Sequence, residues 1–404
     1  MSTSIIYHLF GVKGYDYQRL TLTKGEIKFV IKKKRGYIVC PKCKSRDIVT
    51  RGSKTRSLRA LPTGHYRKLY LDVIVFMIQC KSCGARLQED IPIIPYPKAQ
   101  HTRVFEYIVC DLLEKSTIKD VASYCKLDWD TVKEIDKRRL KRKQPKFRYK
   151  DLYYLALDEV YLGKKMKYKT IVLNLEACKV IQVYDGRGKD AVNTYFKKLK
   201  VYGKNLKAIA MDMSGAYYSA TKEQLPDIDI VFDHFHIVKL MNEKIDSLRR
   251  EHQNMLNKKD KKVFKGKRFL LLMNPDNMTE DQQVKLKEVL ELNTPLTTAY
   301  ILKEELRFLW NCQNEEAGKI YLNSWIERAN DSEIKQMKQM AKTLTKYKQG
   351  VLNYYKHRIN NGNLQGNRLT TGPLEGINNK IKTMLRITYG LRDEEYLKLK
   401  LLNL

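Results

Sequence analysis

Hydrophobic and polar positions change their period along this chain, and each change marks a different kind of element. Residues 66–79 have β-branched and aromatic character, with Leu69, Leu71, Val73 and Val75 alternating, the period-two signature of a strand. The turn Leu61-Pro62-Thr63-Gly64 precedes this run, and Ile91-Pro92-Ile93-Ile94-Pro95-Tyr96-Pro97 ends the strand-like segment. From Thr102 to Lys143 the period becomes helical. Phe105, Ile108, Val109 and Leu112 share one stripe, followed by a short unit with Ile118, Val121, Ala122 and Tyr124-Cys125. A third unit carries Val132, Ile135 and Leu140 after Asp128 and Asp130, either of which can cap it.

Residues 151–238 alternate again. The run Tyr153-Tyr154-Leu155-Ala156-Leu157 is a buried strand, 167–175 and 179–184 form a hairpin, and 190–200 is a helix. A strand at 207–211, a helix at 215–225 and a strand at 228–232 follow, giving the ribonuclease H-like order. Residues 239–365 are Lys/Glu/Leu-rich and helical, with starts at Asn274-Pro275-Asp276 and Asn293-Thr294-Pro295. Five segments result. These are a zinc-finger domain (1–100), a helix-turn-helix (101–150), the first part of a catalytic core (151–238), a helical insertion (239–365), and the second part of the core (366–404). The expected fold class is multidomain α/β, a ribonuclease H-like core with an all-α insertion, preceded by a zinc-binding β domain and a helix-turn-helix.

Charge changes the picture more than length does. The 404 residues carry 78 Lys+Arg against 45 Asp+Glu, a formal net charge of +33, which points to a polyanion and first to double-stranded DNA. The third helix of the helix-turn-helix concentrates this charge in Lys133, Lys137, Arg138, Arg139, Lys141 and Arg142, the expected DNA-binding face. No apolar run reaches bilayer length and Met1-Ser2-Thr3-Ser4 shows no signal-peptide pattern, so a cytoplasmic protein without a membrane partner is expected. Of eight cysteines, Cys40 and Cys43 form one C-x-x-C and Cys80 and Cys83 another, a ligand set for a structural Zn²⁺. Cys110, Cys125, Cys178 and Cys312 stand apart and read as reduced thiols.

Three carboxylates carry the candidate chemistry. Asp158 lies on a strand, Asp212 follows another, and Glu375 lies on a helix opened by Gly372 and Pro373. Carboxylates that converge from such elements hold a pair of Mg²⁺ (or Mn²⁺) ions against a phosphodiester. A single Asp at a strand end is more often a cap or an ion-pair partner, so the weight rests on all three together. On the Glu375 helix, Leu374, Ile377, Ile381 and Leu385 make an apolar stripe. Glu375, Asn379, Lys382 and Arg386 make a polar face able to contact DNA. Asp233 and His236, in Asp233-His234-Phe235-His236, are expected to support the site or touch DNA.

These motifs resemble the DDE transposases of bacterial insertion sequences, most closely the ISL-three (ISL3) group. The resemblance spans essentially the whole chain. It rests on the paired C-x-x-C finger with its Leu-Pro-x-Gly turn, the basic helix-turn-helix, Leu157-Asp158-Glu159, Asp212-Met213-Ser214 and Asp233-His234-Phe235-His236. Its most specific motif is Gly372-Pro373-Leu374-Glu375-Gly376-Ile377-Asn378-Asn379-Lys380-Ile381-Lys382. One departure is Thr371, where many relatives have Asn. The resemblance implies that Asp158, Asp212 and Glu375 are the catalytic triad and that a dimer or higher oligomer nicks the terminal inverted repeats. The freed 3′-hydroxyls would then be joined to target DNA. A silenced relative acting only as a DNA-binding protein is the alternative.

Overall fold

The computed structural model describes residues 5–23, 25–62, 66, 68–144, 146–164, 167–255, 267–291, 294–388, 391 and 393–404. Met1–Ser4, Thr63 and Gly64 of the expected turn, and Asn293 of one expected helix start lie outside them. The chain divides into two compact units, Met1–Lys143 and Gln144–Leu404. No helix among the described residues is long and apolar enough to cross a membrane.

In the first unit, α1 (Ile5–Phe10) leads into β1 (Tyr15–Thr23), β2 (Glu26–Lys33), β3 (Ile48–Ala60), β4 (Lys68–Cys80) and β5 (Arg86–Gln88). The sheet order is β1-β2-β4-β3 with β5 also on β4; β2 and β4 run parallel and the other pairs antiparallel. The alternation in β4 sends Leu69, Leu71, Val73 and Val75 into a core with Ile31 and Leu58. Next come α2 (Arg103–Leu112), α3 (Ile118–Cys125) and α4 (Trp129–Lys143). The hydroxyls of Thr102 and Thr117 accept the N–H of Phe105 and Asp120, fixing where α2 and α3 begin. Lys126 ends α3 in the left-handed region, and α4 starts right after Asp128. Phe105, Val109, Val121, Val132 and Ile135 form the small core of the three helices.

The second unit is built on β6 (Tyr154–Tyr161), β7 (Tyr168–Asn174), β8 (Lys179–Asp185), β9 (Ala208–Met211) and β10 (Asp229–Phe232), in the order β10-β9-β6-β7-β8. β6, β7 and β8 are antiparallel neighbours, whereas β9 and β10 continue the sheet in parallel with β6. The crossovers are α5 (Lys189–Tyr202) and α6 (Gly215–Gln224). Beyond β10 come α7 (His234–Met255), α8 (Arg268–Leu272), α9 (Glu280–Glu291), α10 (Thr294–Phe308), α11 (Glu315–Asp331), α12 (Lys335–Lys346) and α13 (Lys348–Lys356). The chain ends in α14 (Gly372–Ile387) and α15 (Glu394–Leu401). The first helix after β10 begins at His234, earlier than the expected 239, because the Asp233 carboxylate accepts the Phe235 N–H at 3.2 Å and starts the helix there.

Each face of this sheet has its own core. Leu155, Leu157, Ile209, Met211, Ile230 and Phe232 pack with α5, α6 and the helices from α7 to α13. Tyr154, Ala156, Val160, Ala208, Ala210 and Val231 pack with Leu374, Ile377 and Ile381 of α14 and Leu397 of α15. At the β10 edge, a Cβ on Gly350 of α13 would stand 2.4 Å from the Phe232 ring, so only glycine permits this approach. Asn353 Nδ2 donates to the Ile230 carbonyl at 2.9 Å across the same contact.

The helical segment has its own anchor in Trp325, fully buried, whose Nε1 donates to the Leu302 carbonyl at 2.8 Å. Trp325→Ala should cost about 3–5 kcal/mol through the cavity it leaves. Denaturant melts of wild type and variant measure this directly, and a shift below 1 kcal/mol would show that the segment repacks.

Candidate active site and metal centre

Strand alternation decides where the acidic side chains go. Asp158 shares the parity of Tyr154 and Ala156 on β6, Asp212 that of Ala208 and Ala210 on β9, and Asp233 that of Val231 on β10. All three therefore emerge on the α14 face, at the carboxyl ends of parallel neighbours β9 and β10 and beside them on β6. Asp158 and Asp212 line a cavity of about 680 Å³, together with Glu159, Tyr217, His236, Glu243, Asn378 and Lys382.

The polar partners of these groups form one chain of contacts. Asn378 Nδ2 donates to Asp158 Oδ2 at 2.6 Å, and the Glu159 N–H donates to Asp158 Oδ1 at 2.7 Å. His236 Nε2 lies 2.8 Å from Asp212 Oδ2, and its Nδ1 lies 3.5 Å from Asp233 Oδ2. Asp233, almost fully buried, also accepts from the Thr371 hydroxyl. The residue that departs from the relatives' pattern thus ties the start of α14 to the Asp233–His236 pair.

Burial, then the nearby Asp212, push the Asp158 carboxyl above its usual range. Burial alone would lower the His236 imidazole, but Asp212 and Asp233 overcome it and raise it to about 10. Burial likewise disfavours the Asp233 carboxylate, yet His234, His236 and Thr371 hold it well below the carboxylate range. Asp212 Oδ1 is buried without a hydrogen-bond partner among the described residues. A pair of crowded carboxylates with an unmatched oxygen suits a divalent cation, which would satisfy that oxygen and offset the repulsion.

Glu375 is exposed on α14 and is not among the residues lining the cavity. Among the described residues, Asp158, Asp212 and Glu375 do not form a set with ligand atoms within 4.8 Å of one another. Asn378 and Lys382, one and two turns further along the same helix, do reach the cavity. Asn379 and Arg386 are exposed and do not line it. Asn378, rather than its neighbour Asn379, therefore contacts Asp158, and Glu159 and Glu243 also stand on the cavity wall. Asn378→Ala should lower strand cleavage about 10- to 100-fold with DNA affinity retained, as expected when a group that orients a metal-binding carboxylate is removed. Unchanged cleavage in a single-turnover assay would show that Asp158 needs no such support.

In the first unit, Cys40, Cys43, Cys80 and Cys83 place their sulfurs within 4.8 Å of one another. The Cys40–Cys83 and Cys43–Cys80 separations are 3.7 and 3.5 Å, close to the tetrahedron edge of about 3.8 Å implied by a Zn–S bond of about 2.3 Å. Two matching turns build the site. Lys44 N–H donates to the Cys40 carbonyl at 2.9 Å and Gly84 N–H to the Cys80 carbonyl at 3.0 Å, each residue with positive φ. Backbone N–H groups of Cys83 and Cys43 lower the Cys80 and Cys40 thiols, favouring the thiolate that zinc requires, whereas Cys43, despite the Ser45 N–H, is raised by the neighbouring thiols. The four thiolates fit structural zinc.

The basic residues of α4 do not all face outward. Glu106, buried on α2, is 3.0 Å from Arg138 and 3.4 Å from Arg142, while buried Asp136 is 2.7 Å from Arg139. Buried carboxylates need compensating cations, and these arginines supply them. Lys133 lies 5.4 Å from the Trp129 ring centre, Lys137 is 4.0 Å from Glu134, and Lys141 is exposed.

Comparison with known proteins accounts for both units. A model of the DDE transposases of the ISL3 group, described as transposase, matches residues 155–401. The helix-turn-helix domain of transposase family ISL3 matches residues 89–140. The transposase for insertion sequence element IS1001 of Bordetella parapertussis is 31% identical over 99% of this chain and 98% of its own. The transposase for insertion sequence element IS1557 of Mycobacterium tuberculosis is 23% identical over 89% of this chain and 83% of its own. A Drosophila P element transposase strand transfer complex aligns with a TM-score of 0.39 and 14% identity, over 74% of this chain and 90% of that one. The chain belongs to the ISL3 family of DDE transposases.

Proposed function

We propose that this transposase binds the terminal inverted repeats of its element, nicks DNA at the element ends and joins the freed 3′-hydroxyls to target DNA. In this reading Asp158, Asp212 and Glu375 hold Mg²⁺ (or Mn²⁺) on a ribonuclease H-like core, with the helices after β10 as an insertion. The four cysteines hold Zn²⁺, and two or more copies act on paired ends. The carrying observation is that Asp158 and Asp212 share one cavity, with Asp158 bonded to the helix that also bears Glu375.

When bound, the divalent ions activate the attacking oxygen and stabilise the leaving one. The protein's own groups do the rest. Asn378 fixes the rotation of the Asp158 carboxylate, and His236 that of Asp212. Lys382 offers a cation to the phosphate backbone at the cavity wall. Thr371 and Asp233 link α14 to His236, so α14 and α7 present their polar groups to the same cavity.

A chain kept only to bind DNA has no use for two crowded, half-buried carboxylates, which cost stability. The separating experiment incubates the purified protein with duplexes of the element's own terminal repeat and Mg²⁺. The expected product is a nick at the repeat boundary with a free 3′-hydroxyl. Binding without nicking, in Mg²⁺ and in Mn²⁺, would favour the binding-only reading.

A further inference from the structure

A second cavity, of about 590 Å³, runs along the exposed face of α7 and continues the catalytic one, since Lys239 and Glu243 line both. Phe235, Lys239, Glu243, Asp246 and Arg250 recur at helical spacing on this face, while Ile237, Met241, Ile245 and Leu248 are buried on the other. Two features of this cavity are unused by the chemistry at Asp158 and Asp212.

The first is a cation cluster. Asp246 is 4% exposed, yet Arg249, Arg250 and Arg268 approach it at 2.8, 2.6 and 3.3 Å. Three guanidinium groups on one carboxylate leave a net charge of +2. The side chains of Arg250 and Arg268 remain 65% and 50% exposed on the cavity wall, so their remaining N–H groups are held in place and open. Such a held guanidinium pair suits a phosphate diester.

The second is Phe235, 56% exposed, with its ring centre 5.8 Å from that of His236, which holds Asp212. A large apolar ring left open next to a site that works on DNA offers a face for a nucleobase. A base inside a duplex has no free face, so the fitting ligand is an unpaired one. Arg250 lies about 22 Å further along α7 at 1.5 Å per residue. That span equals about six to seven nucleotides at the duplex rise of about 3.4 Å per strand.

We propose that this cavity guides the DNA strand at the cleavage site: Phe235 stacks on an unpaired base next to the scissile phosphate, and Arg250 with Arg268 grips the backbone of the same strand several nucleotides away. The proposal rests on the catalytic reading of Asp158 and Asp212, but its test reads binding rather than cutting, so the two can fail separately.

The experiment uses full-length protein carrying Asp158→Asn to prevent cutting, and fluorescently labelled terminal-repeat ends that are either fully paired or splayed open at the cleavage site. 2-Aminopurine replaces the base at the splayed position. The splayed end is expected to bind about 10-fold tighter than the paired one, with 2-aminopurine quenched, as stacking on an aromatic ring would give. Phe235→Ala should abolish both the preference and the quenching, and Phe235→Trp should restore them. Arg250→Ala and Arg268→Ala should weaken both ends alike, each lowering the slope of log affinity against log salt by about 1. No preference for the splayed end, quenching that survives Phe235→Ala, or an unchanged salt slope in the arginine variants would overturn the proposal.

Discussion

Asp158→Asn and Asp212→Asn should each reduce nicking of a terminal-repeat duplex by at least about 10³-fold, the scale expected when a metal-ion site loses a charged ligand. Affinity for the same duplex should stay within about threefold, since the finger and the helix-turn-helix lie in the other compact unit. The amide keeps the size of the carboxylate and removes its charge, which separates ion binding from packing. With divalent ions chelated, the melting temperature of Asp158→Asn should hold or rise. Burial and the Asp212 charge disfavour the Asp158 carboxylate, so the folded protein gains when that charge is removed. Single-turnover cleavage, fluorescence anisotropy and calorimetry on one preparation check all three. Undiminished cutting by either variant would remove that residue from the site.

Loss of the four-cysteine centre should act on the other unit. Cys80→Ser, or a strong chelator, is expected to remove one zinc per chain and abolish terminal-repeat binding. Structural zinc supplies about 10–16 kcal/mol of apparent binding free energy in small metal-organised domains, enough to decide whether the local fold persists. Cys80 ends β4, and its pairing with Ile48 sets the register of the β3–β4 ladder, so the loss propagates into the sheet. The second unit, with its own cores, should keep its melting transition. Metal analysis, circular dichroism and hydrogen exchange would record this. Normal DNA binding by Cys80→Ser with no zinc present would contradict it.

What could be read from the sequence follows the reach of local patterns. The strands carrying Asp158 and Asp212 are legible because short apolar runs end abruptly in a carboxylate, and the paired cysteines are legible because zinc turns have fixed spacing. The apolar stripe of α14 is legible for the same reason: Leu374, Ile377 and Ile381 are buried. The stripe does not say which polar flank meets the sheet, and successive residues on a helix differ by about 100°. Asn378 and Asn379 are therefore indistinguishable until packing chooses Asn378. Likewise, the pairing of Arg138 and Arg142 with Glu106 depends on how α2 meets α4, so the charge run reads as a uniformly solvated face. Thr371 looks like a mere variation until its hydroxyl is found on Asp233, 138 residues earlier.

If Asp158, Asp212 and Glu375 serve one metal-binding site on DNA, an ion held there should mark all three. Fe²⁺ put in place of Mg²⁺ in the protein bound to its terminal repeats cuts the polypeptide by hydroxyl radicals close to the ion, and those cuts can be mapped. Cuts are expected near residues 158, 212 and 375, all three suppressed by excess Mg²⁺ and by Asp158→Asn. Cuts near 158 and 212 with none near 375 in the DNA-bound protein would contradict a shared site.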